Sequence, residues 1–96
     1  MIYTITMIQK IEMDNLTKLP TFGEREFIGY FNCYADAYNA ITKLKSNNLY
    51  DYCIIEELKS GVYVQTSNRY LFKWNKDRYI QIDEPIELHK VTNFCR

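Results

Sequence analysis

The sequence lacks the residue patterns that most catalytic and ligand-binding sites require. It has a single histidine, His89, and its three glycines stand alone, so it contains no glycine-rich loop that could hold a phosphate. The cysteines Cys33, Cys53 and Cys95 are widely separated and do not have the paired spacing of a zinc site. We therefore expect a protein that is not an enzyme and that binds no metal and no cofactor.

The sequence also lacks an excess of charge of either sign and any long hydrophobic run. Twelve basic and twelve acidic residues cancel, so no overall field attracts the chain to nucleic acid or to an anionic membrane. No segment approaches the ~18 apolar residues that span a bilayer, and the first residues do not resemble a secretion signal. We expect a cytoplasmic protein without membrane contact, whose cysteines are reduced and, apart from Cys95, buried.

What the sequence does contain is a high proportion of aromatic residues. Of its 96 residues, 16% are aromatic and nine are tyrosines, within a composition of 47% hydrophobic and 25% charged residues that is typical of a folded domain. This length suits one domain covering residues 1–96. Tyrosine serves both sheet packing and binding surfaces, because its ring buries area while its hydroxyl finds a partner.

The chain is organised around a strand, a helix and a second strand. Residues 27–31 are aromatic and β-branched, which favours a strand, and Asn32 follows as a candidate helix cap. From Tyr34 onward the apolar side chains recur with the 3.6-residue period of an amphipathic helix. Asn47-Asn48 is a plausible helix end, after which residues 52–58 again favour a strand.

The remaining segments predict further strands and turns. Residues 2–11 alternate as one strand, apolar on one side and threonine-rich on the other, whereas residues 12–24 carry turn residues and predict a loop. That loop is either a connector or a binding segment. The later strands are expected at 62–64, 70–74 and 79–82, with turns at 60–61, 66–68 and 75–77. Residues 86–91 fit either a helical turn or an edge strand.

These elements predict an α+β fold with the order β-β-α-β-β-β-β. The expected architecture is an antiparallel sheet of about five to six strands with one helix packed on one side. On this arrangement the other side of the sheet is left uncovered.

Two adjacent carboxylates, Glu56 and Glu57, fall in the predicted strand 52–58. Neighbouring residues of a strand point to opposite sides, so these two cannot act together as an acid and base pair. We expect one of them to face solvent.

Basic and aromatic residues alternate between residues 59 and 79, where Tyr70, Phe72 and Trp74 are predicted to share one side of a strand. Cations mixed with rings suit single-stranded nucleic acid or a nucleotide, and the same residue types dominate protein interfaces. In a plainer interpretation, which stays open, the rings lie in the core and the cations are solvated. The candidate binding residues are Arg69, Tyr70, Lys73, Trp74, Lys76, Arg78 and Tyr79.

Several segments together resemble a group of small uncharacterised proteins from low-GC Gram-positive bacteria and their phages and mobile elements. The resemblance spans nearly the whole chain. It implies an accessory factor similar to an anti-CRISPR protein, which occupies a surface of a host-defence effector such as a Cas protein without chemistry of its own. The segments that carry it are Gly29-Tyr30-Phe31, Ala37 and Ala40, 52–57, Gly61-Val62-Tyr63, Phe72-Lys73-Trp74, Tyr79 and Glu84-Pro85.

The leading hypothesis is therefore a non-enzymatic inhibitor of host defence that acts by protein-protein interaction, through residues 59–79 and the loop before Arg25. The alternative is a nucleotide or single-stranded nucleic-acid binding protein, a sponge or accessory factor, that uses the same residues. Both a monomer and a homodimer fit the sequence, since an exposed strand edge favours two-fold pairing.

Overall fold

The structure is a computed structural model and describes residues 2–17, 20–43, 50–59 and 65–83. Seven strands and one helix follow one another within these ranges, which confirms the predicted α+β class. The elements are β1 (Ile2–Ile8), β2 (Ile11–Met13), β3 (Pro20–Phe22), β4 (Arg25–Phe31), α1 (Tyr34–Lys43), β5 (Tyr52–Lys59), β6 (Gln65–Asn75) and β7 (Arg78–Ile82).

Five strands form one antiparallel sheet in the order β4-β1-β5-β6-β7, and β2 pairs with β3 in a separate two-stranded sheet. The three consecutive strands β5, β6 and β7 are a meander. The strand β1 lies between β4 and β5, so the two strands that flank α1 in sequence are not neighbours in the sheet. All four pairings in the large sheet are antiparallel.

The helix packs on one side of this sheet, as the 3.6-residue period predicts. Ala37 and Ile41 are buried, whereas Asp36 in the first turn and Lys43 in the last turn are exposed. Both charges are placed favourably for the helix dipole. The amide of Ala37 donates to the carbonyl of Cys33 at 3.3 Å, so the cap position belongs to Cys33 and not to the predicted Asn32. No helix in the described part of the chain is long and apolar enough to cross a membrane.

The core on the helix side joins α1 to four strands of the sheet. A fully buried Ile, Met or Phe side chain stabilises a fold by about 1.5–3 kcal/mol. The buried members are Ile5, Met7, Ala37, Ile41, Cys53, Ile55, Phe72 and Tyr79.

The centre of the side opposite α1 is also buried, and the expectation that this whole side is uncovered is wrong. A second cluster, Ile8, Ile54 and Leu71, lies there, and it is joined by Ile11 and Phe22 from the β2–β3 hairpin. The alternation of β1 was identified correctly, but its threonines do not face solvent: Thr4 and Thr6 are buried, and neither hydroxyl has a hydrogen-bond partner among the described residues. The sheet is therefore a central layer with apolar packing on both sides.

The predicted strand 2–11 and the predicted loop 12–24 are both corrected by the structure. The first strand ends at Ile8, and the chain bends at Gln9 before β2 begins, while β2 and β3 form a short hairpin inside the expected loop. The amide of Gln9 donates to the carbonyl of Glu24 at 2.8 Å, which holds the hairpin against the end of β1. A Cβ at Gly23 would collide with the Gln9 side chain, so glycine is needed at this crossing.

The predicted turn at residues 66–68 is wrong, because β6 runs through it. The pairing moves from Glu57 opposite Asn68 to Leu58 opposite Thr66, which leaves Ser67 as the extra residue of a β-bulge. The turn at 75–77 is confirmed, with Lys76 at a φ of 61°. Several predictions lie outside the described residues. They are those for Asn47-Asn48, 60–61, 62–64, Glu84-Pro85 and 86–91, and those for His89 and Cys95.

Candidate functional site

The structure places the three rings among the seven candidate residues on the helix side of the sheet. Tyr70 and Trp74 pack against the core there, on the same side of β6 as Phe72, as predicted. Tyr79 lies opposite Trp74 in the adjacent strand, with the ring centroids 5.0 Å apart. Only 9% of Tyr79 is exposed, and its hydroxyl donates to the carbonyl of Tyr50 at 2.9 Å. These rings therefore hold the fold together.

The cations are placed elsewhere. Strand alternation directs Arg69, Lys73 and Arg78 to the side opposite α1, and Lys76 lies in the turn between β6 and β7. The Lys73 ammonium lies 5.8 Å from the ring centre of Tyr52. The predicted rings and cations are thus separated by the sheet, and the expectation that both occupy an open side together is not met.

Two of the predicted residues line the same small hollow, which lies at the β7 edge of the sheet. It has a volume of about 240 Å³, and both Lys73 and Trp74 line it together with Asn75, Ile80 and Ile82. Lys73 is the cation among these lining residues.

A different group of aromatic side chains forms a more exposed surface near the start of α1. Tyr34 is its centre: its ring lies 4.7 Å from Tyr70, 6.1 Å from Tyr38 and 6.2 Å from Tyr3, measured between centroids. Tyr38 is 44% exposed, and the other three are half-buried. We call these four residues, Tyr3, Tyr34, Tyr38 and Tyr70, the tyrosine cluster.

Glu57 connects the tyrosine cluster to the sheet by hydrogen bonds. The Tyr3 hydroxyl donates to Glu57 Oε2 at 3.0 Å, and Asn68 Nδ2 donates to Glu57 Oε1 at 3.4 Å. The hydrogen bond to Glu57 is the main cause that raises the pKa of Tyr3, and burial raises the pKa of Tyr34. Both phenols are therefore neutral hydrogen-bond donors at physiological pH.

The sequence alone predicts only one contact of the tyrosine cluster. The i, i+4 spacing of Tyr34 and Tyr38 is visible, since such residues are neighbours on a helix. Tyr3 and Tyr70 come from strands that are far apart in the sequence, and only the register of the sheet brings them under α1.

The cysteines and the two adjacent carboxylates of the described residues lie in different surroundings. Burial raises the pKa of the Cys53 thiol to about 12, so the thiolate that a nucleophile requires is not formed. Cys33 is exposed, which corrects the expectation that it is buried.

Glu56 and Glu57 point to opposite sides as predicted, but neither faces open solvent: Glu56 is fully buried and Glu57 is half-buried. Among the described residues, no three His, Cys, Asp or Glu side chains are grouped as a metal site.

No protein-family model matches this sequence, and neither a curated protein nor a solved structure shows significant similarity to it. The function is therefore inferred from the geometry of the chain itself.

Proposed function

We propose that this chain is a non-enzymatic binding protein that inhibits a component of bacterial defence, with the tyrosine cluster as its contact surface. One observation carries the proposal: Tyr34 contacts three other tyrosines from three different positions in the fold, and the outermost of them, Tyr38, is 44% exposed. Tyrosine is strongly enriched among the residues that dominate protein interfaces.

The packing of the rings against one another supports binding in a second way. A side chain that becomes immobile on association costs about 0.5–1.5 kcal/mol of conformational entropy. Tyr34 is already held between Tyr3 and Tyr70, and Tyr3 is held by its hydrogen bond to Glu57. Part of this cost is therefore met during folding, as in binding surfaces that use rigid aromatic anchors.

The class of partner comes from the resemblance to accessory proteins of mobile elements. The resemblance implies an accessory protein similar to an anti-CRISPR protein, which occupies a surface of a large nuclease complex of host defence. A partner of this kind is cytoplasmic, and we propose that the chain acts there.

The test is binding to purified defence nucleases, including Cas effector complexes, together with inhibition of their cleavage activity. We expect Tyr38→Ala to weaken binding by about 30-fold or more, since loss of a hot-spot side chain costs about 2 kcal/mol or more. Asn39→Ala is the matched control, because Asn39 is the adjacent exposed residue of α1 and has no ring to lose.

Two results would count against the proposal. If no nuclease in such a panel is bound or inhibited, the defence role is wrong. If a nuclease is bound equally well by the Tyr38→Ala and Asn39→Ala variants, the tyrosine cluster is not the contact surface.

The hollow beside Trp74 favours a second candidate function, the binding of a nucleotide or of single-stranded nucleic acid. Lys73 supplies a charge for a phosphate, and Trp74 is among the other residues that line the hollow. This candidate predicts an affinity for single-stranded oligonucleotides that falls as salt concentration rises and that is lost in Lys73→Ala. A salt-independent affinity, or full binding by that variant, would rule it out.

A further inference from the structure

The strand β4 lies at one end of the five-stranded sheet, and among the described strands it pairs with β1 alone. Three of its apolar side chains are exposed, Phe27 to 42%, Ile28 to 36% and Tyr30 to 70%, whereas Phe31 packs against the core. Edge strands are commonly protected from pairing by Lys, by other charges, by Pro or by a β-bulge. Residues 27–31 of β4 carry no charge and no Pro, and one register shift lies at Ile28. We propose that β4 pairs with β4 of a second copy of this chain, so that the protein forms a two-fold symmetric dimer.

The irregular register between β1 and β4 determines which side chains of β4 lie together. Tyr30 is opposite Thr4 and Phe27 is opposite Thr6, with Ile28 as the extra residue of a β-bulge. Phe27 and Tyr30 consequently lie on the same side of the sheet, although residues three apart in a regular strand lie on opposite sides. Their rings contact each other edge-to-face, with centroids 5.0 Å apart.

This spacing makes β4 complementary to itself in an antiparallel arrangement. When the two-fold axis passes between Ile28 and Gly29, Phe27 of each copy lies opposite Tyr30 of the other. Two cross-strand aromatic pairs then form on one side of the joined sheet, and such pairs stabilise strand pairing. Ile28 lies opposite Gly29 of the second copy, where space is free, because a Cβ at Gly29 would have no atom within 4 Å.

The charges of β4 favour the antiparallel arrangement over a parallel one. Arg25 and Glu26 both lie at the start of the strand. An in-register parallel pair would set Glu26 beside Glu26 of the second copy, which is unfavourable. The antiparallel pair separates these two carboxylates by five positions, or about 17 Å at ~3.4 Å per residue, which exceeds the Debye length of ~8 Å.

The exposed area indicates how strong this dimer is. An aromatic side chain buries ~150–250 Å² in full, so the exposed fractions of Phe27 and Tyr30 supply roughly 200 Å² in each copy. Both copies together supply roughly 400 Å², to which the paired backbone adds, and this is well below the ~1,600 Å² of a standard interface. We expect a weak dimer, with a dissociation constant of roughly tens to hundreds of micromolar.

Sedimentation equilibrium of the whole chain, from about 10 µM to about 1 mM under reducing conditions, tests the dimer. We expect the average mass of the unaltered protein to rise with concentration from the monomer toward twice that value. Tyr30→Lys should remain monomeric throughout. Leu16→Lys is the matched control, because Leu16 is 93% exposed and lies in the turn between β2 and β3, and it should dimerise normally.

Thermal unfolding shows whether Tyr30→Lys is folded, and Phe27→Lys is a second variant with the same expected loss of dimer. An unaltered protein that stays monomeric at about 1 mM would overturn the inference. So would a folded Tyr30→Lys that dimerises as strongly as Leu16→Lys, since the interface would then lie elsewhere. Neither result depends on the tyrosine cluster or its partner.

Discussion

Two groups of aromatic side chains lie on the helix side of the sheet, and they differ in exposure. The first is the tyrosine cluster near the start of α1, where Tyr38 is 44% exposed. The second is Phe72, Trp74 and Tyr79, in which Phe72 is 1% exposed, Tyr79 is 9% exposed and Trp74 is half-buried. Tyr70 and Trp74 belong to different groups although they are four residues apart in one strand. Aromatic content alone therefore does not indicate which rings are exposed.

The contacts of the two groups explain the difference. Phe72 lies in the main core with Ile41 of α1, and the Tyr79 hydroxyl is bonded to a backbone carbonyl. In the tyrosine cluster the rings contact one another at the margin of that core, Tyr38 also lies 6.1 Å from Phe72 between centroids, and Tyr3 bonds to a half-buried carboxylate. Loss of a packed ring should therefore lower stability, whereas loss of an exposed ring should lower binding.

The largest expected effect on stability is that of Phe72→Ala. Removal of a fully buried phenylalanine costs about 3–5 kcal/mol, because apolar contacts are lost and a cavity is left. Urea unfolding followed by circular dichroism measures this free energy. Tyr38→Ala is the comparison and should cost about 1–2 kcal/mol, because this residue is 44% exposed but its ring also contacts Tyr34 and Phe72. If both variants lost the same free energy of unfolding, the proposed difference between the two aromatic groups would be contradicted.

A smaller effect is expected from Tyr79→Phe, which keeps the ring and removes the hydroxyl. The carbonyl of Tyr50 then loses its donor, so the free energy of unfolding should fall by about 1–2 kcal/mol. Tyr30→Phe removes an exposed hydroxyl from β4 and should change stability by less than about 0.5 kcal/mol. The assignment of Tyr79 to the packed group would be contradicted if both variants unfolded at the same urea concentration.

The smallest effect is a pH dependence that comes from the tyrosine cluster. The pKa of Tyr3 is raised in the folded chain, so folding favours the neutral phenol. Its contribution is fully present below the ordinary tyrosine pKa of about 10 and is lost as pH rises through the folded value. Between about pH 8 and pH 11, the stability advantage of the unaltered protein over Tyr3→Phe should decrease. A constant difference across this range would show that the hydrogen bond to Glu57 does not form.

Much of the fold could be predicted because its signals are local. The period of α1 indicated which side faces the sheet, and Ala37 and Ile41 are buried as it predicts. Alternation in β6 placed Tyr70, Phe72 and Trp74 on one side. The turn at 75–77 carried its own residue signature.

The errors arose where distant parts of the chain decide the outcome. Residues 66–68 look like a turn, but pairing with β5 carries the strand through them and leaves Ser67 as a bulge. The pairing of β2 with β3 was hidden in a segment without a period. The threonines of β1 look solvated, yet the side they occupy is buried. Which tyrosines meet depends on sheet register, and a single sequence does not carry that information.

Tyrosine nitration mapped by mass spectrometry, with and without a bound defence nuclease, tests the central claim most directly. In the free chain we expect modification of Tyr38 and protection of Tyr79, because their exposures differ about fivefold. In the complex, Tyr38 should become protected. Modification of Tyr38 that is equally fast in the free and bound states would show that the tyrosine cluster does not contact the partner.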